Sequence, residues 1–395
     1  MDVDKIRKDF PILDNIVYLD SAATSQRPAS VIESINKFYK DQNSNVARGL
    51  YQLAEEATFE YEQVRKKTSK FISSNENEVI FTKNTTEAIN LVMRGYGEKF
   101  IKKEDKIVVT MLEHHSNFVP WQELAKRTGA KFEVVGLTPE GNLDEADLVQ
   151  KLKGANLFAF SAASNVLGTM PDLKRLCKLA KDAGAISLVD AAQYAPSHKI
   201  SVKEFGCDFL TFSGHKMLSP FGVGVLYGKE ELLESMDPFL YGSEMIRTVT
   251  SQKSDWNTSP HKFESGTPNV AAVIGLGVAL DYLNNLEMDN ITSYTQSLSA
   301  YMYSRLNELD FIHVLGPEKR TGLVSFTIDK VHPHDIAAIL NEDKVCVRSG
   351  HHCAMPLHEH LGIPASTRAS IYFYNKKSEI DQLIVSLEKV KKLFG

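Results

Sequence analysis

The stretch ISLVDAAQYAPSHKISVKEFGCDFLTFSGHK, running from Ile186 to Lys216, decides the fold. Its two short apolar runs, ISLV and FLTF, are continuous rather than alternating, which is how strands buried on both faces of a parallel sheet read. Each run ends abruptly in polar residues: Asp190 after the first, Ser213 to Lys216 after the second. In open α/β sheets the ligand crevice lies outside the carboxyl ends of the strands, so Asp190 and Lys216 are expected to face one crevice. Read separately, each residue has a plainer explanation, Asp190 as the cap of a following helix and Lys216 as a surface loop lysine.

Working outward, the same pattern runs from about Glu78 to Tyr227. Seven apolar runs (VIF, IVV, FEVV, LFAF, ISLV, FLTF and VGVLY) alternate with amphipathic stretches such as PDLKRLCKLAKDAG. That alternation predicts a mostly parallel sheet with helices on both faces. Beyond Phe263, SGTPNVAAVIGLGVALDYLNNL predicts a long helix with Thr267 as N-cap and Pro268 in the first turn. The remainder reads as a smaller α+β unit. It has a helix around Ser297 to Glu308, strands at FIHVLG and LVSFTI, a helix after His334 and a last helix near Asp381 to Leu393. The expected division is a large domain over 15–285 and a small domain from 1–14 together with 286–395.

Composition excludes several functions. With 45 Lys and Arg against 50 Asp and Glu the net charge is −5, which is no footprint for nucleic acid or an anionic membrane. The N-terminal MDVDKIRKDFPIL lacks an apolar core of signal-peptide length and no later stretch is long and apolar enough to span a bilayer, so a cytoplasmic protein is expected. Cys177, Cys207, Cys346 and Cys353 are scattered without paired spacing, so no disulfide framework is expected.

The strand ends carry the chemistry. NEVIFTKNTTEAINLV places Lys83 to Thr86 where a strand gives way to a helix. Free N–H groups and the helix dipole there can cradle a phosphate, although N-capping by Thr85 explains the same residues. His114 and His115 follow IVVT, and an imidazole at that point can stack on an aromatic ring and shuttle protons. Asn165 ends a further strand. A lysine to carry an aldehyde as a Schiff base, a carboxylate to keep a ring nitrogen protonated and a phosphate cradle are the needs of pyridoxal phosphate.

Taken in order, YLDSAATSQRP, TTEAINLV, EHHSNFVPWQ, SNVLGT, DAAQ, SGHKM, FESGTPN, RSGHHCAMP and TRASIYFYN resemble the Suf-type (group II) cysteine desulfurases over essentially the whole chain. These belong to the class V aminotransferase group of fold-type I pyridoxal-phosphate enzymes, and selenocysteine lyases are close relatives. The resemblance implies the transferase fold of that type, a large domain with a mostly parallel seven-stranded sheet and a smaller α+β C-terminal domain.

It also implies roles. Lys216 would form the Schiff base, Asp190 would pair with the pyridinium, Gln193 would bond the ring's phenolic oxygen and His114 would stack on the ring. Thr86, Ser213 and His215 would hold the phosphate with Thr85 nearby, and Thr267 would reach the cofactor of the other subunit of a homodimer. Arg368 would clamp the substrate carboxylate, assisted by Asn165, with Arg48 also on the substrate side. Cys353 would take sulfur from L-cysteine as a persulfide, leaving L-alanine, and pass it to an acceptor protein of the SufE or SufU kind or to a scaffold, for iron–sulfur cluster assembly.

Neighbouring Arg348, His351 and His352 can favour the Cys353 thiolate. Two other readings of HHCAMPLHEH stay open: an inert loop cysteine, and a metal cluster of His351, His352, Cys353, His358 and His360, although the run does not fit common structural-zinc templates. One departure stands out. Where the group II pattern has a histidine before Arg-Gly, this chain reads VARGLYQLA, with Ala47 in its place. Alternatives at the level of function are a selenocysteine lyase or another β-eliminating enzyme, a transaminase, and a catalytically idle scaffold.

Overall fold

The computed structural model describes residues 1–47 and 49–394. Its centre is a seven-stranded sheet: β1 (Val79–Thr82), β2 (Lys106–Thr110), β3 (Lys131–Val135), β4 (Leu157–Ser161), β5 (Ile186–Asp190), β6 (Phe209–Ser213) and β7 (Gly224–Gly228). The spatial order is β1-β7-β6-β5-β4-β2-β3. Only β7 runs against its neighbours. The remaining pairs are parallel, with Asp190 opposite Ser161 on one side and Thr211 on the other.

The apolar runs divide by period two onto the two faces. Val108, Phe158, Phe160 and Val189 belong to one core, while Ile107, Val109, Leu157 and Leu188 belong to the other. Helices close both layers. On the amphipathic run from Pro171, helix Leu173–Asp182 buries Leu173, Leu176, Cys177 and Ala180, the i, i+3, i+4, i+7 stripe, and Asp172 caps it by accepting from Arg175 N–H.

A four-stranded antiparallel sheet forms the second unit: β8 (Ile312–Leu315), β9 (Leu323–Ile328), β10 (Arg348–Gly350) and β11 (Ser366–Ser370), in the order β8-β9-β11-β10. Helices Met288–Asn307, Pro333–Glu342 and Lys377–Phe394 pack on it through a third core that includes Leu298, Met302, Ile336, Leu340, Leu383 and Leu387. The N-terminus is tied to this unit as well. Val17 and Tyr18 pair with Val345 and Cys346, and Arg7 bonds Glu379 at 2.8 Å. Among the described residues no single helix is long and apolar enough to cross a membrane.

Three boundaries differ from the sequence reading. The helix after β1, Thr85–Val92, is capped by Asn84, which accepts from Glu87 N–H, and Thr85 is its first residue. The long helix spans Val270–Leu286 and is capped by Asn269, not Thr267. Where several cap-competent residues stand in a row, the one whose side chain reaches the N3 amide wins, and sequence alone does not rank them. The helix expected from Ser297 begins at Met288, because a single residue, Glu287 at φ 63°, turns the chain directly from one helix into the next.

Gly224 lies in register between Thr82 and Ser213. A Cβ there would stand 2.6 Å from the Cα of Asn84. The absent side chain therefore lets the start of the Thr85 helix sit directly on β7. Gly224→Ala is expected to destabilise the fold by about 1–3 kcal/mol through overpacking, and to weaken phosphate binding at the displaced helix start. Urea denaturation and inorganic-phosphate titration check the two effects separately.

Candidate active site

The carboxyl ends of β1, β2, β4, β5 and β6 open into one cavity of about 220 Å³. Thr85, Thr86, His114, Asn165, Asp190 and Gln193 all line it. So do Ser213, His215 and Lys216 from the end of β6, beside β5, and Cys353 and Arg368 from the small unit. Two predicted residues are not among them. Thr267 lies on a neighbouring groove with Asn84 and Glu87, and Arg48 lies outside the described residues.

Lys216 is the centre of charge. Its amine is buried, which draws its pKa down from 10.5 to about 8, while Asp190 pulls it back up and Arg368 and Arg348 push it further down. Among the described residues its Nζ makes no hydrogen bond. Burial raises the Asp190 carboxyl, and Ala192 N–H, donating to Oδ1 at 2.9 Å, favours its charged form. An unbonded amine and a carboxylate with one oxygen free, enclosed together, suit the aldehyde and ring nitrogen of pyridoxal phosphate, the cofactor this fold implies.

The phosphate end fits as well. Ser213 Oγ accepts from Thr85 N–H and bonds Thr85 Oγ1, both at 2.9 Å, which fixes the helix start onto the end of β6. Thr86 reaches Ser116 at 2.7 Å. His215 stacks on Phe221 and stays neutral, since burial draws it down to about 4. Gln193 donates to Ala22 O at 2.7 Å, which holds it across the cavity floor.

His114 is held in one tautomer. The Ser116 backbone N–H donates to its Nδ1 at 3.1 Å, so the ring proton sits on Nε2. Burial, with Lys216 next in effect, pushes its pKa down to about 3. The ground-state imidazole is therefore a donor into the cavity. It accepts a proton only by releasing Ser116.

Cys353 stands on a short loop between β10 and helix Met355–His360, exposed and unpaired, like the other three free cysteines in carrying no disulfide. His352 and Cys353 both adopt left-handed backbone, at φ 51° and 56°. The large sheet grips that loop: Asn165 Nδ2 donates to His352 O at 2.6 Å, and His115 N–H donates to Cys353 O at 2.7 Å. Arg368 is buried, donating to Asn165 O at 2.9 Å and Asp20 Oδ1 at 3.1 Å, and its Nε has no partner in the protein. Burial lowers the Arg368 pKa and raises that of Asp20, and each is pulled back by the other.

The metal reading of the histidine-rich loop does not match this geometry. His352 and His358 both turn their Nε2 to Ser366, and no group of three or more potential ligands comes together among the described residues.

Sequence reasoning missed three supports. Glu113 is buried beneath His114 and takes four donors, from Thr110, Asn117 and Ser161 (two), while burial still pushes it up to about 7. Ser116 ties His114 to Thr86. Asp20 aims Arg368. Glu113 and Ser116 flank the histidines in LEHHSN and could have been suspected, whereas the Asp20–Arg368 pair joins residues 348 positions apart and leaves no local trace.

These residues define an α/β enzyme built around a buried lysine–aspartate pair at the carboxyl edge of a mostly parallel sheet, with a thiol brought in from a second unit. The aminotransferase class-V profile matches residues 17–383, and the chain belongs to that family. It is 47% identical to a probable cysteine desulfurase of Halalkalibacterium halodurans, over all of this chain and 99% of that one. It is 42% identical to the cysteine desulfurase of Haloferax volcanii, over 100% and 98%. Among solved structures, the apo cysteine desulfurase of Thermococcus onnurineus NA1 superposes with a TM-score of 0.96 at 40% identity, covering 98% of each chain. The Escherichia coli cysteine desulfurase CsdA, in its S-sulfonic acid form, gives 0.93 at 36% identity over 100% of this chain and 99% of that one.

The His114 geometry makes a direct prediction. Its folded pKa lies below the unfolded 6.5, so charging it removes stability as the pH falls below that value, and nothing is gained above it. Nitrogen-15 NMR of labelled histidine should show His114 neutral and Nε2-protonated from about pH 5 to 9. A resonance that titrates near 6.5 would mean that the imidazole is solvated and not held.

Proposed function

We propose that this protein is a cysteine desulfurase, which converts L-cysteine to L-alanine and leaves the sulfur on Cys353. The observation that carries this reading is that an exposed thiol, held in left-handed backbone, faces the same cavity as Lys216, Asp190 and Arg368. A transaminase needs the last three and has no use for the first.

The reaction balances without an outside oxidant. The Cys353 thiolate bonds to the substrate sulfur, the Cβ–S bond breaks with its electron pair kept on Cβ, and the proton from the substrate thiol ends on Cβ as part of the alanine methyl. Carbon is reduced, sulfur is oxidised to the persulfide level, and the charge stays on the enzyme-bound sulfur. Pyridoxal phosphate, held by Lys216, Asp190, Gln193, Thr86, Ser213 and His215, supplies the electron sink that loosens bonds at Cα and Cβ.

The remaining work belongs to the protein. Arg368, aimed by Asp20, takes the substrate carboxylate through the guanidinium fork. Lys216, with its pKa near 8, is in part a neutral amine at physiological pH, and its Nζ moves the Cα proton. His114 presents Nε2–H toward the reacting region and donates to developing negative charge on sulfur.

Two extensions follow from the same geometry. Thr267 and Ala47 lie off the cavity, on two grooves that share Tyr61, Glu264, Gly266 and Pro268. The displacement of Thr267 from the cavity supports a homodimer in which Thr267 serves the partner copy's cofactor. The exposure of Cys353 supports hand-over of the persulfide sulfur to an acceptor protein of the SufE or SufU kind, or to a scaffold, for iron–sulfur cluster assembly.

Borohydride treatment of the cofactor-loaded enzyme is expected to fix the cofactor on Lys216 alone, and Lys216→Ala to abolish this labelling. With L-cysteine, mass spectrometry should find the extra sulfur on Cys353. Cys353→Ser should bind L-cysteine normally yet form almost no alanine, while selenocysteine, with its better leaving group, is largely spared. Desulfuration by Cys353→Ser at the wild-type rate would replace this reading with a general β-eliminating enzyme. His114→Ala should slow turnover by roughly 10²- to 10⁴-fold.

A further inference from the structure

Left-handed backbone at two consecutive residues that are not glycine is strained and persists only where the surroundings impose it. At His352 and Cys353 the large sheet supplies part of that constraint through the two carbonyl contacts described above. His115 adds a third contact, its Nε2 accepting from Met355 N–H at 2.9 Å, and a further constraint comes from a hydrogen-bonded chain through Ser366.

The chain of bonds can be followed in order. His358 Nδ1 lies 3.0 Å from Ala354 O, and a carbonyl only accepts, so the proton of His358 is on Nδ1. Its Nε2 is then an acceptor, and Ser366 Oγ–H, 3.0 Å away, donates to it. Ser366 Oγ and its own carbonyl lie 3.0 and 3.1 Å from His352 Nε2, which by the same logic carries the proton of that ring and donates. The backbone carbonyls at the two ends fix every proton between them. His352, Ser366 and His358 are all buried, and burial keeps both rings neutral.

The consequence is positional. His352 and Ala354 are the two neighbours of Cys353, and both are tied to Ser366. Ser366 begins β11, two residues before Arg368. Across the sheet Gly350 pairs with Ser366 and Arg348 with Arg368. One serine thus links the residues on either side of the thiol to the strand that carries the carboxylate clamp.

From this geometry we infer that the His352–Ser366–His358 chain is a positioning device for sulfur transfer, holding Cys353 in its left-handed turn at a set place relative to Arg368. The inference rests on the desulfurase reading. Ser366 and His358 lie off the cavity, and although His352 is among its lining residues its Nε2–H is spent on Ser366, so the chain acts through Cys353.

The test compares His358→Leu, which leaves Ser366 Oγ–H without an acceptor, with His358→Gln, whose Oε1 can take that hydrogen bond. Ser366→Ala, which deletes the bridge itself, is the second disruptive variant. All are prepared as cofactor-loaded enzyme. His358→Leu and Ser366→Ala are expected to lower kcat with L-cysteine by about ten- to a hundredfold, as small misplacements of a reacting group do. KM, cofactor absorbance and selenocysteine turnover should stay within about threefold of wild type, because Lys216 and Arg368 are untouched. Backbone hydrogen exchange should quicken over residues 351–355, and His358→Gln should restore most of kcat.

Three results would overturn the inference: wild-type kcat in both disruptive variants, an equal loss with selenocysteine, or a parallel rise in KM with loss of cofactor, which would mark a merely structural role. Should His358→Leu fail to fold, Ser366→Ala carries the same readouts. The wild-type enzyme with L-cysteine is the separate control. If it places no sulfur on Cys353, the desulfurase reading falls, whatever the variants do.

Discussion

The burial of the Lys216 amine beside Asp190 is the constraint on which the rest of the site depends. An ammonium taken out of water without a hydrogen-bonded partner is expensive, and proteins answer by shifting its pKa or by placing compensating charge nearby. Both responses are present here, with Lys216 drawn down to about 8 and Asp190 pulling against that shift. The parallel sheet makes the arrangement possible, because β5 and β6 are neighbours in register and each delivers its last polar residues to the same rim. Arg348 and Arg368 add positive charge to the cavity, which keeps Lys216 partly neutral and prepares the space for an anionic group.

The second unit serves the first by carrying side chains to it. β10 and β11 pair Arg348 with Arg368, and the loop that leaves β10 brings Cys353 back over the rim of the large sheet. Some contacts between the units run through the site itself: Asn165 takes a bond from Arg368 and gives one to His352, and Asp20, at the N-terminal crossing, also holds Arg368. Movement of one sheet against the other would therefore misalign the carboxylate clamp and the thiol together. This coupling is a reason for the clamp to be buried, since an arginine on a mobile surface loop could not fix the substrate relative to Cys353.

Much of this was legible in the sequence because the signals are local. Continuous apolar runs ended by polar residues located the strand ends, and through them Asp190, Ser213, Lys216, His114 and Asn165. Three kinds of feature were not legible. Cap identity failed at Thr85 and Thr267, since Asn84 next to the first and Asn269 two residues after the second have equal chemical competence and only backbone geometry separates the candidates. Non-local pairs such as Asp20 with Arg368 are brought together by the fold and have no spacing to recognise. The histidine-rich loop is a third case: its clustering left a metal reading open, although it fits no common zinc template, and what it forms is a hydrogen-bonded chain whose nitrogens point to a serine.

That last case shows why composition is a poor guide to what histidines do. A metal site needs ring nitrogens free to converge on one point with lone pairs exposed, whereas here a carbonyl at each end of the chain requires a proton on Nδ1 of His358 and on Nε2 of His352. The lone pairs that remain are divided: His358 Nε2 is spent on Ser366, and His352 Nδ1 is buried with no partner. Two residues that share a sequence run and a buried environment are thus prevented from acting as a pair of ligands by the tautomers their backbone neighbours impose. What they can do is transmit position, and the residue between the two tethered neighbours is the exposed thiol on which the proposed chemistry turns.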